Sequence, residues 1–151
     1  MKIISGGQSG VDRAALDVAA ALRLESGGWC PAGRWAEDGV IPNSHPMKET
    51  PSVDTRQRTE WNVRDSDATI IIHWGDLEGG TLFTYECCCK LRKPCLLIDM
   101  EKAISPQNVV QWITQHRLQI LNIASPRESA RPGEVYLASR KFLLDVLLRI
   151  I

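Results

Sequence analysis

Short apolar runs alternate with amphipathic stretches along most of the chain, and this alternation is typical of strands separated by helices. The run ATIIIHW at residues 68–74 is rich in β-branched residues and predicts a strand buried on both faces of a sheet. Residues 11–22 place alanine, valine and leucine on one helical face. The whole pattern predicts strands at 2–5, 28–30, 68–74, 94–98 and 118–124 and helices at 11–22, 55–64, 81–91, 105–115 and 139–150.

Strands that are separated by helices pair in parallel through crossover connections, and the helices then cover both faces of the sheet. We therefore expect an α/β fold, a three-layer sandwich around a central, mostly parallel sheet of about five strands. The length of 151 residues predicts a single domain, residues 1–151. Residues 31–54 contain four prolines and show no periodicity, so we expect this long connection to be either functional or mobile.

A glycine turn, GGQSGVD, joins the first predicted strand to the first helix. Glycines bring the backbone close to a ligand, and the free N–H groups at a helix start favour an anion, most often a phosphate. A carboxylate repels phosphate, so we expect Asp12 to cap backbone N–H groups or to bind a ligand hydroxyl or amine. A purely structural tight turn is the alternative. The expected ligand contacts in this turn are Gly6, Gly7, Gln8, Ser9, Gly10, Asp12 and Arg13.

A second glycine turn, EGGTLFT, follows the apolar run and opens the next helix. Gly79, Gly80 and Thr81 again combine bare N–H groups with a hydroxyl, and Thr84 lies one turn further along the same face. Two anion-binding helix starts in one small sheet predict a phosphorylated ligand held between them. In parallel sheets such ligands lie beyond the carboxyl ends of the strands. The two turns meet there if the strands at 2–5 and 68–74 are neighbours.

Charge and cysteine content narrow the classes of partner and compartment. Eighteen acidic and eighteen basic side chains cancel, so no overall field attracts nucleic acid or an anionic membrane. No apolar run reaches the roughly 18 residues of a membrane-spanning helix, and we expect a cytoplasmic protein. Three of the five cysteines are consecutive, at 87–89, and cannot converge on one metal ion from a helix. We expect buried or half-buried free thiols and no metal bound by the protein.

Groups typical of catalysis are scarce, and the sequence predicts no catalytic residue. His45 lies in the long connection and is expected to be solvated. Trp35 and Trp74 are candidates for stacking on a heterocycle, with simple packing as the alternative. Arg56 and Arg58 supply cations near the third predicted strand.

Three segments in this order, GGQSGVDRAALD, RTEWNVRDSDATIII and EGGTLFT, make the chain resemble the molybdenum cofactor carrier family over nearly its whole length. That family belongs to a wider Rossmann-like group that includes cytokinin-activating phosphoribohydrolases and nucleotide-sensing domains. The resemblance implies a Rossmann-like fold and a homo-oligomer such as a dimer or tetramer. It also implies a site for the phosphorylated pyranopterin of molybdenum cofactor or for a nucleotide-like ligand. The pterin dithiolene supplies sulfur to molybdenum, so no metal ligand is required from the protein.

The related phosphoribohydrolases carry the motif PGGxGTxxE, whose glutamate serves catalysis. Aligning its GT with Gly80 and Thr81 places Thr84 where that glutamate stands. Glu86 lies about 200° around the helix from Thr84, near the opposite face. A carrier is therefore expected rather than an enzyme. The alternatives are a nucleoside 5′-monophosphate phosphoribohydrolase-like enzyme that uses Asp12 or Glu60, and a nucleotide-sensing module.

Overall fold

The computed structural model describes residues 1–151 and contains nine strands and five α-helices. The strands are β1 (Lys2–Ile4), β2 (Ser26–Gly27), β3 (Trp29–Cys30), β4 (Trp35–Ala36), β5 (Gly39–Val40), β6 (Lys48–Glu49), β7 (Ala68–His73), β8 (Cys95–Asp99) and β9 (Ile120–Ala124). The helices are α1 (Val11–Ala21), α2 (Thr55–Arg64), α3 (Gly79–Leu91), α4 (Pro106–Gln115) and α5 (Val135–Leu148), with a 3₁₀ turn at Glu128–Ala130.

Five of the strands form one parallel sheet in the order β2-β1-β9-β7-β8. Helices α1, α4 and α5 pack together on one face, and α2 packs with α3 on the other. The predicted three-layer α/β sandwich with a five-stranded parallel sheet is confirmed. Most helix bounds follow the hydrophobic pattern closely, whereas α3 and α5 begin earlier than predicted, at Gly79 and Val135.

The main core lies between the sheet and the α1, α4 and α5 layer. Every residue of β7 is buried, as the β-branched run predicts. Ile3 of β1, Val18 of α1 and Leu143 of α5 belong to one cluster of 18 buried residues. Each fully buried aliphatic side chain contributes about 1.5–3 kcal/mol relative to exposure, so this cluster holds the helices on the sheet.

The strand order differs from the arrangement that would bring the two glycine turns side by side. β9 lies between β1 and β7, with Ile4 opposite Asn122 and Ile70 opposite Ile123. The condition that the first strand neighbours β7 is therefore wrong. The loop after β9 instead separates the turn after β1 from the turn after β7.

The connection from β2 to α2 is ordered and contains structure of its own. The second strand of the main sheet is β2, at Ser26–Gly27 rather than the predicted 28–30, because Trp29–Cys30 pairs with β6 instead. Strands β4 and β5 form a small antiparallel hairpin. Ladders of two residues are too short to show a period in the sequence. A separate small core beneath them is built from Cys30, Ala36, Ile41 and Met47.

Candidate functional site

A polar cleft lies beyond the carboxyl ends of β1, β9 and β7. Its volume is about 660 Å³, within the range of small-molecule sites. Four segments form its walls: the turn after β1, the first turns of α2, the first turns of α3 and the loop after β9. Its lining residues include Gly6, Gln8, Asp12, Arg56, Arg58, Asn62, Gly79, Gly80, Thr81, Phe83, Thr84, Asn122, Ser125 and Arg127.

The structure brings most, but not all, of the predicted ligand contacts into this cleft. Those that line it are Gly6, Gln8, Asp12, Gly79, Gly80, Thr81 and Thr84. Those that do not line it are Gly7, Ser9, Gly10 and Arg13.

The start of α3 presents free N–H groups to the cleft. Gly79 and Gly80 are exposed, and their backbone N–H groups donate to no acceptor in the protein. The next two N–H groups, those of Thr81 and Leu82, both donate to the Glu78 carbonyl. No atom lies within 4 Å of a Cβ placed on Gly80, so the space in front of this helix start is open. This end of the cleft combines free donors with the positive end of the helix dipole.

Two hydroxyls, those of Thr81 and Ser125, lie beside the α3 start and are hydrogen-bonded to each other. Thr81 Oγ1 lies 2.7 Å from Ser125 Oγ, so α3 is hydrogen-bonded to the loop after β9. Thr84 is buried and donates its hydroxyl to the Gly80 carbonyl at 2.8 Å. The position that carries a glutamate in the phosphoribohydrolase motif thus holds a hydroxyl engaged with its own helix.

The start of α1 is arranged differently, because the N–H groups of Val11 and Arg13 donate to carbonyls within the protein. Val11 N donates to the Pro126 carbonyl at 3.2 Å, and Gln8 N donates to Asp12 Oδ2 at 3.4 Å. Gly10 has a φ of 81°, and a Cβ there would lie 2.5 Å from the Pro126 carbonyl oxygen. The first glycine turn therefore binds the loop after β9 by close backbone contact.

Asp12 and Arg58 form a buried ion pair at the α1 end of the cleft. Arg58 Nη1 donates to Asp12 Oδ2 at 3.0 Å, and the two side chains are only 12% and 5% exposed. Burial raises the pKa of Asp12, whereas the Arg58 guanidinium opposes that shift. The predicted capping role of Asp12 is present in its bond from Gln8 N, and its partner is an arginine of α2.

The β4–β5 hairpin tip closes the far side of the first glycine turn. Arg13 donates to the Gly7 carbonyl and forms a two-point ion pair with Asp38. The Glu37 carboxylate accepts from the Ser9 hydroxyl and from the Ser129 N–H and hydroxyl. Burial favours a higher pKa for Glu37, but these hydrogen bonds outweigh it and hold the pKa below its usual value. Ser9, Gly10 and Arg13 thus face a second cavity of about 720 Å³ behind the turn.

Several lining residues are absent from the residues predicted to contact the ligand. Ser125 and Arg127 follow the predicted strand at 118–124 directly, and that position at a carboxyl end is the signal that could have identified them. Asn122 projects from β9 itself and donates to Thr69 Oγ1 at 3.2 Å. Phe83 is an aromatic side chain of the cleft. Nothing in the local pattern singles out Asn122 or Phe83, because their exposure to the cleft follows from the strand order.

The two candidate stacking tryptophans lie outside the cleft. Trp35 is 46% exposed, and the Arg127 guanidinium lies over its ring at 5.8 Å from the centroid. Trp74 packs against the main core. His45 is buried against Asp17, with 3.0 Å between Nε2 and Oδ1, so the expectation of a solvated histidine is wrong.

The acids considered for catalysis are mostly placed away from the cleft. Glu60 pairs with Lys90 at 3.6 Å, and Glu86 is exposed; neither lines the cleft. Asp12 does line it. No group of three or more histidine, cysteine or acidic side chains is placed to hold a metal ion. The five cysteines are free thiols, of which Cys89 is exposed.

A parallel sheet with helices on both faces and a polar cleft at the carboxyl ends of its strands defines a Rossmann-like α/β protein. Residues 3–147 match the model of the circularly permutated YpsA SLOG family, and the chain belongs to that family. The chain is 45% identical to the protein named "Putative molybdenum carrier protein" from Syntrophus aciditrophicus SB, whose crystal structure was determined at 1.45 Å resolution. The match has a TM-score of 0.90 and covers 97% of this chain and 94% of that one. The resemblance to the molybdenum cofactor carrier family is thereby confirmed. No protein with a curated description matches the chain.

The permutation explains the strand order. Numbered along the chain, the five strands of the main sheet are arranged 2-1-5-3-4. Moving the last strand to the front of the numbering gives 3-2-1-4-5, the usual order of Rossmann folds. β9 therefore occupies the place of the usual first strand, and the order reverses between β9 and β7. The hydrogen bond between Thr81 and Ser125 spans that reversal.

None of the helices is long and apolar enough to cross a membrane.

Proposed function

We propose that the chain is a binding or carrier protein for a phosphorylated heterocycle, either the pyranopterin phosphate of molybdenum cofactor or a nucleotide-like ligand. The ligand would lie in the cleft between the α3 start and the Asp12–Arg58 pair. The chain would hold this ligand without converting it.

The observation that carries this proposal is the pair of free N–H groups at Gly79 and Gly80. They lie in open space at the positive end of a 13-residue helix, which favours a phosphate there. The Thr81 and Ser125 hydroxyls lie beside them and can each turn to donate to a phosphate oxygen.

The rest of the cleft suits a planar polar heterocycle. Phe83 offers an aromatic surface, and Gln8, Arg58 and Asn122 offer polar groups. Molybdenum would need no ligand from the protein, because the pterin dithiolene supplies sulfur. The name of the Syntrophus protein, at 45% identity, supports the same choice of ligand.

A Gly80 substitution tests the site directly. Gly80→Asp places a carboxylate beside the free N–H groups, where it opposes a phosphate while the open space accepts the side chain. We expect the wild-type protein to gain thermal stability with molybdopterin, and the Gly80→Asp variant to gain much less. Gly80→Ala is the matched control, since it adds a methyl group without charge. The proposal fails if molybdopterin and a panel of nucleoside monophosphates leave the melting temperature of the wild type unchanged.

A nucleoside monophosphate glycosidase is the rival function, and Asp12 is the observation that favours it. Its carboxyl group is buried in the cleft, and burial raises its pKa, as is common for acids in catalysis. Incubation with AMP, followed by chromatography for free adenine, separates the two functions. We expect no release, and release that disappears in Asp12→Asn would establish the enzyme instead.

We also propose that the chain forms a homo-oligomer, as the family resemblance implies. Light scattering with and without ligand measures its mass. A change of mass on ligand binding would favour the nucleotide-sensing alternative over simple carriage.

A further inference from the structure

Two buried hydrogen-bond donors at the α1 end of the cleft have no acceptor. They are Gln8 Nε2 and Arg58 Nε. Both side chains line the cleft, and Gln8 is 5% exposed. A buried donor without an acceptor costs free energy, which a ligand that supplies the acceptor would recover.

The orientation of the Gln8 amide is determined by its neighbours. Its Oε1 accepts from Ser9 N at 2.9 Å and from Glu37 N at 2.8 Å. Reversing the amide would place its NH₂ group against two backbone N–H groups, which also donate. The unpaired atom is therefore the nitrogen, and it can only donate.

The charge at this end of the cleft is already balanced. Arg58 Nη1 donates to Asp12 Oδ2, and the same oxygen accepts from Gln8 N. A guanidinium has no acceptor, so whatever meets Arg58 Nε must accept a hydrogen bond. With Asp12 neutralising Arg58, a neutral acceptor suits this end better than a second anion, while the free N–H groups of α3 serve the phosphate.

We infer that the cleft selects heterocycles that carry a ring carbonyl over their amino-substituted counterparts, through donation from Gln8 and Arg58. A carbonyl oxygen has two lone pairs and brings no donor of its own, whereas an exocyclic amino group would set further donors against these two. The ligand class is thus an oxo-substituted purine, pyrimidine or pterin with a phosphate. This inference rests on the proposed function and specifies its ligand.

Two pairs of nucleotides test the selection on the wild-type protein. IMP has a ring carbonyl where AMP has an amino group, and the adjacent ring nitrogen carries a hydrogen in IMP and a lone pair in AMP; UMP and CMP differ in the same way. Ribose and phosphate are common to all four. We expect calorimetry to give a dissociation constant about tenfold lower for IMP than for AMP, and the same difference between UMP and CMP. The difference corresponds to the free energy lost when the two donors remain unpaired.

Gln8→Glu is the matched variant, because its carboxylate keeps an acceptor for Ser9 N and Glu37 N but replaces the free donor by an acceptor. We expect the preference for IMP over AMP to disappear or reverse. Gln115→Glu, exposed at the end of α4, makes the same change outside the cleft and should keep the preference. If Gln8→Glu does not fold, the wild-type comparison decides alone.

Equal or tighter binding of AMP and CMP would overturn the inference and leave the proposed function intact. Binding of none of the four nucleotides would also overturn it. The proposed function falls as well only if molybdopterin also fails to bind.

Discussion

The Arg58 guanidinium donates to the Asp12 carboxylate over 3.0 Å and so joins α2 to α1 at the edge of the cleft. It lies so close to the first glycine turn that a Cβ on Gly6 would be 1.7 Å from Nη1. The absence of a side chain at Gly6 thus makes room for an arginine that is distant in sequence. The first glycine turn, α2 and the Asp12–Arg58 ion pair therefore form one unit.

Replacing Arg58 by methionine should destabilise the protein strongly. The change leaves Asp12 buried and unpaired, which typically costs about 3–5 kcal/mol. Urea unfolding of wild type and variant measures the loss. Arg56→Met is the control, because Arg56 is 72% exposed and solvent screens its ion pair with Asp54. Equal losses from the two arginines would contradict the buried pairing.

Gly10→Ala should be far more damaging than Gly133→Ala, although both glycines have a φ of 81°. At Gly133 a Cβ meets no atom within 4 Å, so alanine there suffers backbone strain alone, about 1–3 kcal/mol. At Gly10 the Cβ would also collide with the Pro126 carbonyl oxygen at 2.5 Å. We expect at least about 2 kcal/mol of additional destabilisation in denaturant unfolding. A difference near zero would mean that the loop after β9 moves away without cost.

His45 should make the protein less stable in mild acid. Burial lowers its pKa below the ordinary 6.5, and Asp17 opposes only part of that shift. The unfolded chain then binds a proton more readily than the folded chain. The contribution of His45 is therefore complete above pH 6.5 and is lost as the pH falls from 6.5 towards the lowered pKa.

The pH dependence of unfolding in His45→Gln tests this interpretation. Its free energy of unfolding should change less between about pH 5 and pH 8 than that of the wild type, by at most about 1.4 kcal/mol per pH unit. His116→Gln, at an exposed position after α4, should behave like the wild type. Parallel curves for wild type and His45→Gln would show that His45 does not contribute.

Thr81→Val and Ser125→Ala should each weaken binding of a phosphorylated ligand. Each removes one of the two hydroxyls that lie 2.7 Å apart beside the α3 start, and one hydrogen bond to a charged group is worth about 1.5–3 kcal/mol. Calorimetric titration should show at least about a tenfold loss for each. Thr114→Val, at an exposed position of α4 where the hydroxyl donates to the Val110 carbonyl, should leave the affinity unchanged. Unchanged affinity in the two cleft variants would show that the phosphate does not bind at the α3 start.

Local patterns in the sequence were sufficient for the four longer strands of the main sheet, β1, β7, β8 and β9, and for its helices. The β-branched run of β7 and the amphipathic face of α1 report burial over consecutive residues, which periodicity detects. The two-residue strands β2 to β6 are too short to leave such a pattern. The bounds of β2 were therefore wrong, and the segment 31–54 gave no sign of its hairpin.

By itself the sequence determined the class of fold, the two glycine turns and a helix start with free N–H groups at Gly79 and Gly80. Only the tertiary structure decided that β9 lies between β1 and β7, and hence that Ser125 lies beside Thr81 while Pro126 occupies the α1 start. It also decided that Arg58 meets Asp12. These contacts join residues far apart in the chain. They depend on which strands are neighbours in the parallel sheet, and the local hydrophobic periodicity of the sequence does not specify that order.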